Sequence, residues 1–333
     1  MRIVLVHLGS MNAPHLWANI KYLNSHFSNL QLVLIADNSE IIEKARSYPV
    51  EVSRYQPEAR TENLLNSSKH DLTFRKGFWR FSIERIIAVT SYIKNTPDSN
   101  LVDTLHIESD ILLFPSFADF HFKPFRKISW LPFNESHDVG ACILFPKEVD
   151  VKYFEEEFLL ILENNPELTD MTGLKKLRDK NPDDYMLLPT TLDSAPGSLV
   201  FDPAPIGMWL TGEDPRNHQG RLKLHRVLRE SDIQPGNYKY SINEKSSPVL
   251  VEDESHFTLM NLHVHSKDIK LFSLQNNSQL KNFINLSQNI EGKTIFLPKI
   301  FLKQLTKFLL KQNYFSKDTW KTILLRMRHF SAK

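Results

Sequence analysis

Continuous apolar runs alternate with stretches of helical spacing through the first half of the chain. The run "RIVLVHL" (2–8) predicts a strand covered on both faces. Over 13–27, Leu16, Ile20, Leu23 and Phe27 fall on one helical face. "LQLVLIAD" (30–37) predicts a second strand that ends on an aspartate, and "SEIIEKARS" (39–47) a short helix capped by serine. "VEVSRY" (50–55) predicts a third strand, and the polar stretch 56–76 a loop. "GFWRFSIERIIAVTSYIKN" (77–95) has the stripe of a long amphipathic helix. Strands are expected at 104–114, 127–133 and 139–146, and helices at about 151–164 and 171–179.

This alternation predicts an α/β domain built on a mainly parallel sheet with flanking helices. In such sheets ligands bind at the carboxyl ends of the strands. After residue 185 the chain reads as loop-rich, most of all at 202–220, and "MNLHVHSK" (260–267) alternates like a strand with His263 and His265 on one face.

The apolar run "LHIESDILLF" (105–114) holds Glu108, Ser109 and Asp110 at its centre. An unpaired carboxylate in an apolar interior costs several kcal/mol. The pair is therefore expected at the mouth of the sheet, not inside it. Two hard oxygen donors one residue apart converge on Mg²⁺ or Mn²⁺ if the strand bends there. The plain alternative is an acidic turn that is solvated or paired with arginine. No GxGxxG, P-loop, HExxH or CxxC motif competes with the metal reading.

In this setting the chain resembles the bacterial-type nucleotide-sugar glycosyltransferases of the GT-A fold. E-S-D stands where their D-x-D motif follows an apolar strand. "FWRFSIERI" resembles the helix behind the nucleotide, "VGACILF" the strand toward the acceptor, "TDMTGL" (169–174) an acidic helix start, and "NLHVHSK" the late histidine segment. The resemblance spans about 1–268. It implies Mn²⁺ or Mg²⁺ on Glu108, Asp110 and His265, with His263 as the alternate. It implies a nucleotide-sugar donor, UDP-linked by default, near His7, Gly9, Asp37, Trp79, Arg85, Ser109 and Lys267. Asp170 is the implied catalytic base for a glycan or glycolipid acceptor, as in polysaccharide biosynthesis, and Asp110 shares the catalytic role through the metal. Asp202, Glu213 and Asp214 are further candidates for acceptor contacts. Plain structural roles stand beside these: Trp79 as core, Asp37 as a neighbour of the Ser39 cap, Asp170 as a helix-start charge.

Charge divides the chain. Residues 269–333 carry 12 Lys/Arg and 2 acidic residues, a net +10, which leaves −8 for 1–268 out of a total of +2. "LPKIFLKQLTKFLLKQ" (297–312) spaces Lys299, Lys303, Lys307 and Lys311 evenly among apolar residues. This predicts a basic amphipathic helical tail, 269–333, that lies on an anionic membrane surface, or else packs on the catalytic domain, 1–268. No secretory signal or membrane span is expected, and the lone Cys142 suits a reducing compartment. The expected location is cytoplasmic, peripheral on the inner face of the membrane. Basic residues in the body are not interleaved with aromatics as nucleic-acid binding needs. Two rivals stand: a sugar-phosphate nucleotidyltransferase, disfavoured because "GSMNAPH" has no Lys or Arg, and a membrane-recruited, non-catalytic nucleotide-sugar-binding module.

Overall fold

A computed structural model describes residues 1–9, 13–70, 73, 77–120, 122–190, 198–214, 221–224, 233–235, 238–244, 247–252, 255–269 and 295–298. The first unit runs β1 (Arg2–His7), α1 (Pro14–His26), β2 (Gln31–Ala36), α2 (Ser39–Ala45) and β3 (Glu51–Arg54). Then come α3 (Ala59–Ser67), α4 (Phe78–Lys94), β4 (Thr104–Ile107), β5 (Ile111–Leu113), β6 (Ser129–Pro132) and β7 (Asp138–Phe145). α5 (Val151–Glu163), α6 (Asp170–Lys180), β8 (Met186–Leu187), β9 (Leu199–Val200) and α7 (Pro205–Thr211) follow. The last strands are β10 (Arg221–Leu224), β11 (Lys239–Ile242), β12 (Pro248–Glu252), β13 (Ser255–Leu259), β14 (Asn261–His263) and β15 (Ile295–Pro298).

The main sheet has seven strands in the order β3-β2-β1-β4-β7-β6-β8. Its β3-β2-β1-β4 half is parallel, and β7 runs antiparallel to both β4 and β6. β1 shows why its middle, Ile3 to Val6, is continuously apolar. Ile3 and Leu5 join a core with Leu16, Ile20 and Leu23 of α1. Val4 and Val6 join a second core with Ile83, Ile86 and Ile87 of α4 and with Phe154 and Phe158 of α5. The α/β class expected from the sequence is the class observed. Among the described residues no helix is long and apolar enough to cross a membrane.

Four local readings change. The helix over 39–45 is capped by Asn38, whose side-chain oxygen accepts from Glu40 N at 2.8 Å, and not by Ser39. The polar stretch after β3 contains α3, which buries only Thr61, Leu64 and Leu65. α7 lies inside the expected loop 202–220, and all its residues are buried. The strand expected over 104–114 is two strands, β4 and β5, that belong to different sheets. The tail from residue 270 lies outside the described residues except for β15, so a strand stands where the expected helix 297–312 begins.

Candidate metal and nucleotide site

The site forms where the 104–114 strand breaks. β4 pairs with β7 up to Ile107 and Cys142, and Glu108 N extends the ladder to Ala141 O at 2.9 Å. Ile111 N then bonds back to Glu108 O at 3.0 Å, and β5 departs to pair with β14. The break frees backbone carbonyls that need donors. Asn19, fully buried in α1, donates to Ser109 O at 3.1 Å and Ile111 O at 2.7 Å. Tyr22 of the same helix donates to Leu113 O at 2.6 Å, and the His15 ring bonds Ser109 Oγ at 3.1 Å.

β14 brings His263 onto the two carboxylates. Its Nε2 lies 3.2 Å from Asp110 Oδ2 and 3.5 Å from Glu108 Oε2. One donor atom from each of Glu108, Asp110 and His263 falls within 4.8 Å of the others. Cations flank the group: Arg85 Nη1 is 2.8 Å from Glu108 Oε1, and Lys267 Nζ donates to Asp110 Oδ2. Lys267 has φ of 59°, a left-handed conformation rare for a side-chain-bearing residue and most frequent at functional sites.

Electrostatics follows from this packing. Burial raises the Glu108 pKa, but Arg85 and then His263 outweigh it and hold the group at about 2. Burial likewise opposes ionisation of Asp110, yet Lys267 and His263 keep it well below the usual range. Burial lowers the His263 pKa, but Asp110 and Glu108 outweigh it and lift it to about 10. The imidazole of His263 and the Lys267 side chain thus both favour the ionised form of the two carboxylates.

The support beneath His263 is specific. Asp202, fully buried, accepts from His263 N at 3.0 Å, Gly207 N at 2.7 Å, and the amides of Ala204 and Ile206 at 3.0 Å each. A Cβ on Gly207 would lie 2.1 Å from His263 O, so only glycine lets α7 approach β14 this closely. His263 Nδ1 faces Pro203 O at 3.3 Å, which directs Nε2 to the carboxylates. His265 stacks on His263 with ring centres 3.9 Å apart, and its Nε2 is buried without a hydrogen-bond partner among the described residues. It is outside the converging group; the alternate histidine of the sequence reading is inside it.

The other expected residues are distributed as follows. Gly9, with φ of 79°, follows β1, and its amide donates to both Asp37 oxygens at 2.9 and 3.1 Å. That bond ties the loop after β1 to the end of β2, with the buried His7 ending β1. Arg85 bridges Glu108 to Asp170, whose Oδ2 lies 3.3 Å from Nη2. Asp170 opens α6 beside the Thr169–Thr172 capping box and is buried; burial raises its pKa against Arg85. Trp79 sits in the first turn of α4 against His70 and Phe78. Ser109 lies between the carboxylates, and Asp202 is a capping group for α7. Glu213 and Asp214 are buried just past α7. His15 and Asn19 went unread in the sequence. Their signal is a polar pair four residues apart on a helix whose Leu16, Ile20 and Leu23 face the core.

No protein-family model and no curated protein matches the chain. Solved structures of similar outline include an active-site mutant of LgtC, at TM-score 0.37 and 9% identity over 57% of this chain and 73% of that one. Mouse xyloside xylosyltransferase 1 in its apo form gives TM-score 0.37 and 11% identity, covering 56% of this chain and 84% of that one. The PaToxG glycosyltransferase gives TM-score 0.37 and 9% identity, covering 54% and 69%. At these scores the likeness is one of general outline, and no residue role is taken from it.

The fold and site together define an α/β protein with a carboxylate–histidine cluster at the carboxyl end of a central strand. The donor set fits a divalent ion. Two carboxylates and an imidazole nitrogen suit Mn²⁺ or Mg²⁺, and the paired acids stand where Arg85 and Lys267 already supply positive charge.

Proposed function

We propose that this protein is a metal-dependent glycosyltransferase that moves a sugar from a UDP-linked donor to a hydroxyl of a glycan or glycolipid. One observation carries the reading: the strand break that converges Glu108, Asp110 and His263 at the carboxyl end of β4. Support also comes from the order of motifs along the sequence. Glu108, Asp110 and His263 would hold the ion, which when bound supplies positive charge to the departing diphosphate. The remaining work belongs to the chain. Lys267, released from Asp110, is the cation within reach of a phosphate. Gly9 lets the loop after β1 pack on the Phe81 ring, which stands where a Cβ would lie, with Asp37 fixing the loop. His15 and Asn19 hold Ser109 and the break in place.

Asp170 is the base implied by the sequence resemblance. Its burial on Arg85 favours a different role, in which it positions Arg85 and through it Glu108. We also read the basic tail as a contact for an anionic membrane surface that would hold a lipid-linked acceptor; its support is charge and spacing in the sequence alone. Donor hydrolysis that depends on metal separates the enzyme from a non-catalytic module.

The experiment is a thermal-shift screen of nucleotide sugars with and without Mn²⁺, on wild type and Asp110→Ala. A UDP-sugar should raise the melting temperature of wild type only when Mn²⁺ is present, and leave the variant unmoved. An equal shift without metal, or in the variant, would remove the metal cluster from donor binding.

A further inference from the structure

Between the carboxylate–histidine cluster and α7 lies one fully buried carboxylate, Asp202. Each of its oxygens carries two bonds. Oδ1 accepts from Ala204 N and Ile206 N at 3.0 Å each, and Oδ2 from Gly207 N at 2.7 Å and His263 N at 3.0 Å. That fills the four acceptor positions of a carboxylate. Oδ2 is thus shared between α7 and the histidine that meets Glu108 and Asp110. The backbone of Asp202 is tied to β14 as well. Asn261, itself fully buried, accepts from Asp202 N at 2.8 Å and donates to Asp202 O at 3.0 Å.

The same segment touches His263 at two further points. Pro203 O stands 3.3 Å from Nδ1, and Gly207 packs directly on the His263 carbonyl. The backbone N–H, the ring and the carbonyl of His263 therefore all rest on 202–207. A buried donor or acceptor left without its partner is costly, so His263 cannot shift without opening a bond to this segment. Coupling between two sites is reciprocal. If the bonded segment favours the placement of the imidazole, an ion that fixes the imidazole favours the bonded segment by the same factor.

On the reading of Glu108, Asp110 and His263 as an ion site, we propose that Asp202 is a positioning residue that couples this site to α7, so that a divalent ion orders the start of α7. None of the three converging donor atoms comes from that helix. α7 runs from Pro205 to Thr211 and leads into the buried Glu213 and Asp214. An ion arriving at the cluster thereby sets the backbone that leads to those two acids.

The test is hydrogen–deuterium exchange of the full-length protein in EDTA and in saturating Mn²⁺, with Mn²⁺ affinity measured by calorimetry. With Mn²⁺ the peptide over 202–211 should exchange at least about fivefold more slowly, the lower end of coupling between sites. α5, which packs in the other core, is the reference for general stabilisation by a ligand. Asp202→Asn keeps the size of the side chain but sets an NH₂ group against backbone N–H donors. It should bind Mn²⁺ about 10–100-fold more weakly. At saturation its 202–211 peptide should slow no more than α5. Asn261→Ala keeps the carboxylate and removes the other two bonds between β14 and Asp202. It should lose the response in the same way, and it serves if melting curves show that Asp202→Asn does not fold. If wild type binds no Mn²⁺, the ion reading itself falls and this coupling with it. If Mn²⁺ binds but 202–211 slows no more than α5, or if the folded variants keep wild-type affinity and response, Asp202 only caps α7 and the coupling is overturned.

Discussion

At the residue scale the candidate metal site turns on which imidazole meets the carboxylates. His263 Nε2 lies 3.2 Å from Asp110, while His265 stacks behind it. His263→Ala should therefore abolish Mn²⁺ binding measured by calorimetry, and His265→Ala should weaken it only moderately through lost stacking. The opposite order would make His265 the ligand. Sequence spacing placed both histidines on one strand face, and the sequence reading chose His265, with His263 as the alternate; the converging group holds His263 instead. β14 ends at His263, and the chain turns there, with His265 N bonded to His263 O at 2.9 Å. That turn is a tertiary outcome of pairing with β5, which no local pattern encodes. Asp170 sets a second test. If it positions Glu108 through Arg85, Asp170→Asn should lower Mn²⁺ affinity along with transfer. If it is the general base, transfer alone should fall by roughly 10²–10⁴ while metal and donor binding hold. Transfer at the wild-type rate with wild-type metal affinity would deny it both roles.

At the scale of elements, the strands and long helices were legible because each carries one clear period. β1 is apolar from Ile3 to Val6 because it is covered twice, and α4 has a wide apolar stripe. α3 was not legible, since it buries only Thr61, Leu64 and Leu65 in an otherwise polar segment. The break between β4 and β5 was legible as chemistry, from acids in an apolar run, but not as geometry. α7 was hidden by the prolines and glycines of 202–220, yet one of those glycines, Gly207, shows its purpose. Gly207→Ala places a methyl against His263 O, so it should destabilise the protein by about 1–3 kcal/mol, the range of core overpacking. Since the clash falls on His263 of the proposed metal site, Mn²⁺ affinity should fall too. A melting temperature and affinity like wild type would show that α7 does not set the position of β14. α4 supplies a test of pH. Burial raises the Glu84 pKa, and Arg80, 3.7 Å away, offsets this only in part. A carboxyl whose folded pKa is raised binds its proton more tightly in the folded state. Stability contributed there is present in acid and is lost as pH rises from the unfolded value, about 4.3, through the raised folded value. Glu84→Gln should therefore melt higher than wild type at neutral pH, and the gap should close below pH of about 4. A gap that is constant with pH would mean that the ionisation of Glu84 is not its source.

At the scale of the whole molecule, the sequence divides its charge, with −8 over 1–268 and +10 over 269–333 out of a total of +2. An arrangement of this kind has two outlets. The tail meets an outside anion, or it meets the acidic body. Lys299, Lys303, Lys307 and Lys311 follow directly after β15, so they begin where the described chain ends. Lysines near an anionic bilayer contribute about 1 kcal/mol each, so the four together amount to about 4 kcal/mol, or roughly a thousandfold in binding. Full-length protein should sediment with phosphatidylserine-rich vesicles, less so with neutral ones, and less as salt screens the charges. Replacing the four lysines by glutamine keeps the chain length and removes that attraction, so sedimentation should fall close to the level of neutral vesicles. If instead the tail packs on the acidic body, wild type and variant will sediment alike, and the variant will melt at a lower temperature. That second result would place the basic tail on the protein itself, and the acceptor would then have to be found without a membrane to hold it.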